Sequence, residues 1–226
     1  MILKNNLCIK LGGIMLEKII NNFYFVRLFY IVIFVTLGVT IINNLKDKDK
    51  INIKECLNIR KTNVRLLLKY LFLSFAVRTI LERLVVYIPF ETTNAQISSN
   101  VFEIIVEFIT ICIFAPIFEE IIFRFGLYKK LNKKLNPFIS ILVTSIVFAL
   151  IHIYNIDGVI ILLGISLIWH YSFYKTNNLI YPVLLHFFHN LYALGDNILN
   201  YSRYWYILLA ISIIGYIILI SKKQKN

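Results

Sequence analysis

The sequence predicts an all-α protein, a polytopic transmembrane bundle of about seven helices, roughly six to eight. Two observations predict this fold class. Hydrophobic residues make up 59% of the 226 residues and charged residues only 16%, against about 45–50% and about 25% in soluble domains. The apolar residues also form runs of the length needed to cross a bilayer, roughly 20 residues of helix. Both observations disfavour a water-soluble fold.

Seven apolar runs are candidate spans, and they lie at 24–44, 66–88, 101–128, 137–155, 158–174, 179–199 and 204–221. The fifth run is short for a full span. The second run contains four charged residues, Lys69, Arg78, Glu82 and Arg83. Charged side chains within an apolar segment usually face protein or water rather than lipid. We therefore expect part of the second helix to pack inside the bundle.

The formal net charge of +12 is explained by membrane topology rather than nucleic-acid binding, because the basic residues cluster between the apolar runs. Under the positive-inside rule, the basic loops 46–65 and 124–136 are cytoplasmic. The segments 89–100 and 154–158 contain no Lys or Arg and are expected outside. The basic tail after residue 221 then places the C-terminus in the cytoplasm. Seven spans place the N-terminus outside, against which Lys4, Lys10 and Lys18 argue weakly.

We predict one integral-membrane domain with three parts. These are N-terminal membrane helices with a cytoplasmic loop over 1–100, a helical core with the polar motifs over 101–197, and a last membrane helix with a basic tail over 198–226. No cleavable signal peptide is apparent. The cysteines have neither metal-ligand nor redox spacing, so we assign them no role.

Three groups of polar residues lie within apolar runs, where an ionisable side chain costs about 2.5–3.5 kcal/mol on insertion scales. The first group is Glu119 and Glu120, with Arg124 four residues after the second glutamate. On a helix, Glu120 and Arg124 share a face and can pair, while Glu119 points about 100° away and has no local partner. One carboxylate is then structural and the other available. The alternative is a buried ion pair beside a glutamate that reaches the interface.

The second group is Phe148 and His152, which lie one helical turn apart. A lone histidine of this kind is more often a packing residue than a catalytic one. The third group is His186 and Asn190, again one turn apart, with His189 on another side of the helix. Two donors on one face suit an oxyanion, and they suit hydrogen bonds between helices equally well.

Taken together and in this order, Glu-Glu-x-x-x-Arg, Phe-x-x-x-His and His-x-x-x-Asn resemble the motifs of the CPBP family of intramembrane proteases. That family includes the CAAX prenyl proteases and the Abi-like bacteriocin-processing or immunity proteins, and it is often labelled metalloprotease. The resemblance covers about residues 101–197. It implies a peptidase in which Glu119 and His152 activate a water molecule and His186 and Asn190 stabilise the oxyanion. The remaining motif residues are expected to be structural or orienting: Glu120, Arg124 and Phe148.

Whether the site needs zinc as a cofactor is open, because histidines and a carboxylate are a familiar catalytic ligand set for zinc. If a metal binds, the candidate ligands are Glu119, His152 and His186. The sequence contains no His-Glu-x-x-His motif. We therefore favour a site that requires no cofactor.

Two other function classes remain open. A non-catalytic bacteriocin-immunity or regulatory membrane protein could retain the motifs for folding, although a pseudoenzyme is expected to lose at least one of them. A transporter is disfavoured, since we see no inverted repeat and no paired broken helices. The Lys-, Asn- and Ile-rich composition suggests an AT-rich bacterial genome. We therefore expect a bacterial cell membrane and a peptide-precursor substrate rather than a prenylated CAAX protein.

Overall fold

The computed structural model describes residues 22–49, 57, 61–87, 100–152, 156–199 and 201–221. Within these ranges the chain forms seven helices and no strand, so the predicted all-α bundle is confirmed. The helices are α1 (Phe23–Asp49), α2 (Val64–Val85), α3 (Val101–Leu131), α4 (Pro137–Leu150), α5 (Ile156–Thr176), α6 (Ile180–Leu199) and α7 (Trp205–Ser221). A 3₁₀ turn, Tyr201–Tyr204, precedes α7.

Asparagine side chains cap the main chain at the start of five helices. In each case the side-chain oxygen accepts a hydrogen bond of 2.9–3.1 Å from an N–H two or three residues later, and the residues are Asn22, Asn63, Asn100, Asn136 and Asn178. Asparagine is among the best residues for satisfying these otherwise unpaired donors. Asn177, with φ of 47°, ends α5 in the left-handed conformation that asparagine tolerates. These caps fix where the helices begin in a chain that is apolar almost throughout.

Three helices differ by four residues or more from the predicted spans, and the first is α1, which covers 27 residues rather than the predicted 24–44. The run 137–155 was expected to be helical throughout, but α4 ends at Leu150, and Ile151 and His152 form a turn. Helix α5 covers 21 residues, longer than the predicted 158–174. Residues 89–99 of the predicted outside segment 89–100, residues 154 and 155 of the segment 154–158, and the basic tail at 222–226 lie outside the described residues.

Helix α3 lies at the centre of the bundle, where it contacts α1, α4 and α6. Helix α5 contacts α2, α4 and α6, and α7 packs on α2. Glycines permit two of these close approaches, since Gly164 faces Leu81 of α2 and Gly215 faces Phe72 of α2. The outer helices α1 and α7 expose large apolar side chains, including Leu28, Phe29, Val32, Ile214 and Ile217.

Three helical segments among the described residues are long and apolar enough to cross a membrane: Phe23–Lys46, Val101–Leu131 and Asp157–Thr176. Two shorter helices, Pro137–Leu150 and Trp205–Ser221, are also apolar. Exposed apolar faces of this size are unfavourable in water and favourable in lipid. The protein is therefore a membrane protein.

The charged face of α2 packs against α6, in agreement with the expectation for this helix. Arg78 donates from Nη1 to the main-chain oxygen of His189 at 3.1 Å and pairs through Nε with Glu82 at 2.6 Å. Its guanidinium carbon lies 4.4 Å from the ring centroid of Tyr192. Ser74 Oγ lies 2.9 Å from Nε2 of His189. These contacts place Arg78 and Glu82 against protein rather than lipid.

The starts of α2 and α6 and the end of α7 lie together. The phenol of Tyr181 accepts a hydrogen bond from the main-chain N–H of Asn63 at 2.8 Å, and Arg65 donates to the main-chain oxygen of Leu219 at 2.7 and 3.1 Å. The ends of α3 and α5 meet as well, because Lys129 Nζ lies 5.7 Å from the ring centroid of Phe173. We call this side the basic end, since it gathers Lys61, Lys129, Lys130, Lys133, Lys134 and Lys175.

Candidate active site

The two adjacent glutamates lie on α3 between two π-helical segments, Phe108–Phe114 and Ile121–Tyr128. Pro116 lies two residues after the end of the first of these segments. A proline has no N–H, and its ring crowds the carbonyl four residues earlier, so a wider turn relieves the conflict. The short α-helical stretch between the π segments, Ala115–Glu120, contains both glutamates, and both are buried. The irregular backbone of α3 therefore surrounds its most polar residues.

Glu120 and Arg124 form an ion pair in which both side chains are fully buried. Arg124 Nε lies 2.9 Å from Glu120 Oε2, and Arg124 Nη2 donates to Ser166 Oγ on α5 at 2.8 Å. The guanidinium carbon also lies 4.5 Å from the ring centroid of Phe148. The other oxygen of Glu120 lies 2.9 Å from Nδ1 of His186. Glu120 thus connects α3 to α6 while Arg124 neutralises its charge.

Glu119 makes a separate set of contacts. Its Oε2 lies 3.4 Å from Nε2 of His152 and 3.9 Å from Nε2 of His186. Its Oε1 accepts a hydrogen bond from the phenol of Tyr30 on α1. The Glu119 side chain is 2% exposed and the His152 side chain 23%. The carboxylate therefore faces two imidazoles and is itself buried, while His152 is the more exposed of its two histidine neighbours.

Phe148 orients the histidine at the end of α4. Its main-chain oxygen lies 2.7 Å from Nδ1 of His152, and its ring centroid lies 4.7 Å from that of His152. A carbonyl oxygen only accepts hydrogen bonds, so Nδ1 of His152 carries a proton. The other ring nitrogen, Nε2, is then the one directed at Glu119. The main-chain N–H of His152 bonds to the oxygen of Ala149 at 3.1 Å, which tightens this last turn.

His186 is held between aromatic rings. Its ring stacks on that of Trp169, with centroids 4.6 Å apart and an interplanar angle of 24°, and meets that of Phe148 edge-on at 5.7 Å. With Nδ1 bonded to Glu120, these contacts fix the ring so that Nε2 points toward Glu119.

Asn190 makes a different contact from the one expected of it. Its amide nitrogen donates to the main-chain oxygen of Ile111, in the first π segment, at 2.8 Å. This hydrogen bond ties α6 to α3. The structure thus brings Glu119, His152 and His186 together, while Asn190 is hydrogen-bonded to the main chain of α3. The oxyanion role of Asn190 stays a prediction.

Sequence reasoning missed three residues that complete this site: Tyr30, Ser166 and Trp169. Ser166 and Trp169 lie three residues apart on one face of α5, and polar residues at that spacing in an apolar helix are a detectable signal. Tyr30 has no such signal. It meets Glu119 across 89 positions of the sequence, from a helix that contains none of the motifs.

The described residues include no group of three or more His, Cys, Asp or Glu side chains arranged to hold a metal ion. His186 binds Glu120 through one ring nitrogen, and its other nitrogen is 3.9 Å from Glu119. The ring nitrogens of His152 and His186 lie 3.4 and 3.9 Å from Glu119 Oε2, and a site that requires no cofactor stays a prediction.

A comparison with protein families matches residues 101–192 to the family described as type II CAAX prenyl endopeptidase Rce1-like. The match begins where the motif-bearing core was predicted to begin, and it includes all the motif residues from Glu119 to Asn190. The resemblance to the CPBP and CAAX proteases is confirmed. The family supports intramembrane protease activity in general terms. Comparisons with curated proteins and with solved structures gave no match.

Proposed function

We propose that this protein is an intramembrane endopeptidase in which Glu119 and His152 activate a water molecule for attack on a peptide bond. The supporting observation is the convergence on Glu119 Oε2 of His152 Nε2 at 3.4 Å and His186 Nε2 at 3.9 Å. Ionisable side chains within membrane spans are costly and usually mark functional sites. Here Arg124 already neutralises Glu120, so the charge of Glu119 is available for chemistry.

In the proposed reaction, Glu119 acts as the general base. It takes a proton from water as the water oxygen attacks the carbonyl carbon, and it returns that proton to the amine nitrogen as the C–N bond breaks. A neutral His152 supplies Nε2 as a second acceptor for the same water, because its Nδ1 proton is directed at Phe148. Tyr30 holds Oε1 of Glu119, which leaves Oε2 for the water.

His186 and Asn190 are the proposed oxyanion donors. As a donor, His186 would use an N–H at Nε2, the ring nitrogen that lies 3.9 Å from Glu119, while its Nδ1 faces Glu120 at 2.9 Å. Asn190 uses one amide hydrogen on Ile111 and retains a second for the oxyanion. Donors of this kind each stabilise a transition state by about 2.7–4 kcal/mol.

The proposed substrate is a membrane-associated peptide precursor in a bacterial cell membrane. Support comes from the placement of the site among membrane helices and from the composition of the chain. The proposed chemistry uses no metal.

The test is a cleavage assay on the purified full-length protein in detergent with a panel of peptide precursors. The informative variants are Glu119→Gln and His152→Ala. Glu103→Gln is the matched control, since it makes the same chemical change on the first turn of α3. We expect the wild type and Glu103→Gln to cleave, and both site variants to lose activity by at least about 100-fold.

Each outcome of this assay decides between stated alternatives. Cleavage retained in Glu119→Gln would contradict the assigned base. Activity abolished by a strong chelator and restored by zinc would overturn the metal-free chemistry. Folded wild type that cleaves nothing in the panel would favour the non-catalytic immunity or regulatory role, and a binding partner would then be sought.

A further inference from the structure

A cavity of about 660 Å³ lies at the basic end, between the last turns of α1 and the last turns of α3. Its wall is apolar over most of its area and becomes cationic at the rim. The lining residues are Ile41, Leu45, Ile122 and Leu127 on the wall, and Asn44, Lys130, Lys133 and Lys134 toward the rim. We call it the lysine-rimmed cavity.

Gly126 allows the two helices to meet at this cavity. A Cβ atom at this position would lie 2.9 Å from Cγ2 of Ile41, a separation that only glycine permits. Helices α1 and α3 therefore touch at one side of the cavity, and the residues around this contact form its apolar floor. The floor belongs to helices whose length and apolarity suit a membrane span.

The charge at the rim has one sign. None of the nine lining residues is acidic, and three of them are lysines whose side chains are exposed. In the adjoining sequence from 41 to 54, four lysines outnumber two aspartates. A cavity with an apolar floor and a cationic rim is complementary to an amphiphile with an anionic head. Basic pockets between membrane helices are known to hold such headgroups.

We propose that the lysine-rimmed cavity binds an anionic phospholipid. Its phosphate lies between Lys130 and Lys134, with the amide of Asn44 as a further donor, and its acyl chain lies along Ile41 and Leu45. The apolar floor favours a lipid over free phosphate, because a free anion gains nothing from apolar walls. This inference depends on the membrane location of the protein and not on the proposed proteolysis.

The experiment measures lipid retention by the full-length protein. The protein is reconstituted in nanodiscs of phosphatidylcholine that contain a small fraction of phosphatidylglycerol, and the bound lipids are quantified after extraction into mild detergent. The test variant is Lys130→Gln/Lys134→Gln. The matched control is Lys61→Gln/Lys175→Gln, which removes two lysines from the same end but away from the cavity. A second test variant, Asn44→Trp, fills the cavity without a change of charge.

We expect wild type and the control to retain phosphatidylglycerol in preference to phosphatidylcholine, and the lysine variant to bind it about tenfold more weakly. Asn44→Trp should lose the same preference. Equal losses in the lysine variant and the control would mean attraction to the surface charge of the whole end, and would overturn the proposal. Retention in both test variants would overturn it too. Displacement of phosphatidylglycerol by millimolar inorganic phosphate would identify a free anion as the ligand and would also reject the lipid.

Discussion

Replacing Arg124 with methionine isolates the buried ion pair at the base of the site. Methionine has a similar length and suits an apolar interior, so the change removes the charge with little change of shape. Glu120 then remains fully buried and keeps only His186 of its two partners. Ser166 loses its donor from Arg124 as well.

The expected loss of stability follows from burial. Removing one member of a fully buried ion pair leaves an uncompensated charge and destabilises a protein by about 3–5 kcal/mol. Arg27→Met is the matched control, because Arg27 pairs with Glu107 while its side chain is 28% exposed. This pair is only partly buried, so breaking it should cost less than breaking a fully buried pair. Arg124→Met should therefore be the less stable of the two variants, by about 1 kcal/mol or more.

The assay is reversible unfolding of the full-length protein in mixed micelles by increasing amounts of denaturing detergent, followed by far-UV circular dichroism. A third variant, Glu120→Gln/Arg124→Met, removes both charges and should be more stable than Arg124→Met alone, since no ion is then stranded. Equal stability of Arg124→Met and Arg27→Met would refute the reasoning. It would mean that water reaches Glu120 and that the pair is not desolvated.

Three further changes test other contacts. Tyr30→Phe should lower the turnover of a cleaved peptide at least about tenfold with little change in KM, because a hydrogen bond to a charged group contributes about 1.5–3 kcal/mol; unchanged turnover would remove Tyr30 from the site. Ser74→Ala should destabilise the fold by about 1–3 kcal/mol by leaving buried His189 without this partner, as measured by unfolding. Gly164→Leu should destabilise the fold by about 1–3 kcal/mol through overpacking. Adding Leu81→Ala should restore part of that loss, and no restoration would mean that α2 and α5 are not in contact there.

Within the described ranges, the number and order of the helices could be read from the sequence because bilayer thickness sets how many apolar residues a span needs. The end of α4 could not be read in the same way. The apolar run continues past residue 150, but the helix ends where His152 turns back to bond Phe148 and Ala149. Hydropathy measures transfer into lipid and carries no information about such local hydrogen bonds.

The irregularity of α3 was only partly predictable. Pro116 indicates that the helix cannot be regular around it, since the ring and the missing N–H disturb the preceding turn. Sequence alone does not decide between a kink and a widened turn, because that depends on what packs outside the helix. Here Asn190 of α6 donates a hydrogen bond to the main-chain oxygen of Ile111 within the π segment. This tertiary contact joins distant parts of the chain, so the local sequence does not show it.

The contribution of α1 to the site was the hardest to predict from sequence patterns, and it extends the site beyond the motif-bearing core. The family match begins at residue 101, yet α1 runs beside α3 and touches it at both ends and in the middle. Arg27 pairs with Glu107, Tyr30 donates to Glu119, and Ile41 packs on Gly126. From the first of these contacts to the third, the residue numbers increase in both α1 and α3. The two helices are therefore parallel and remain in contact from one end to the other. Any displacement of α1 along this contact therefore moves a hydrogen-bond donor of the site carboxylate, and α1 is part of the site rather than only a membrane anchor.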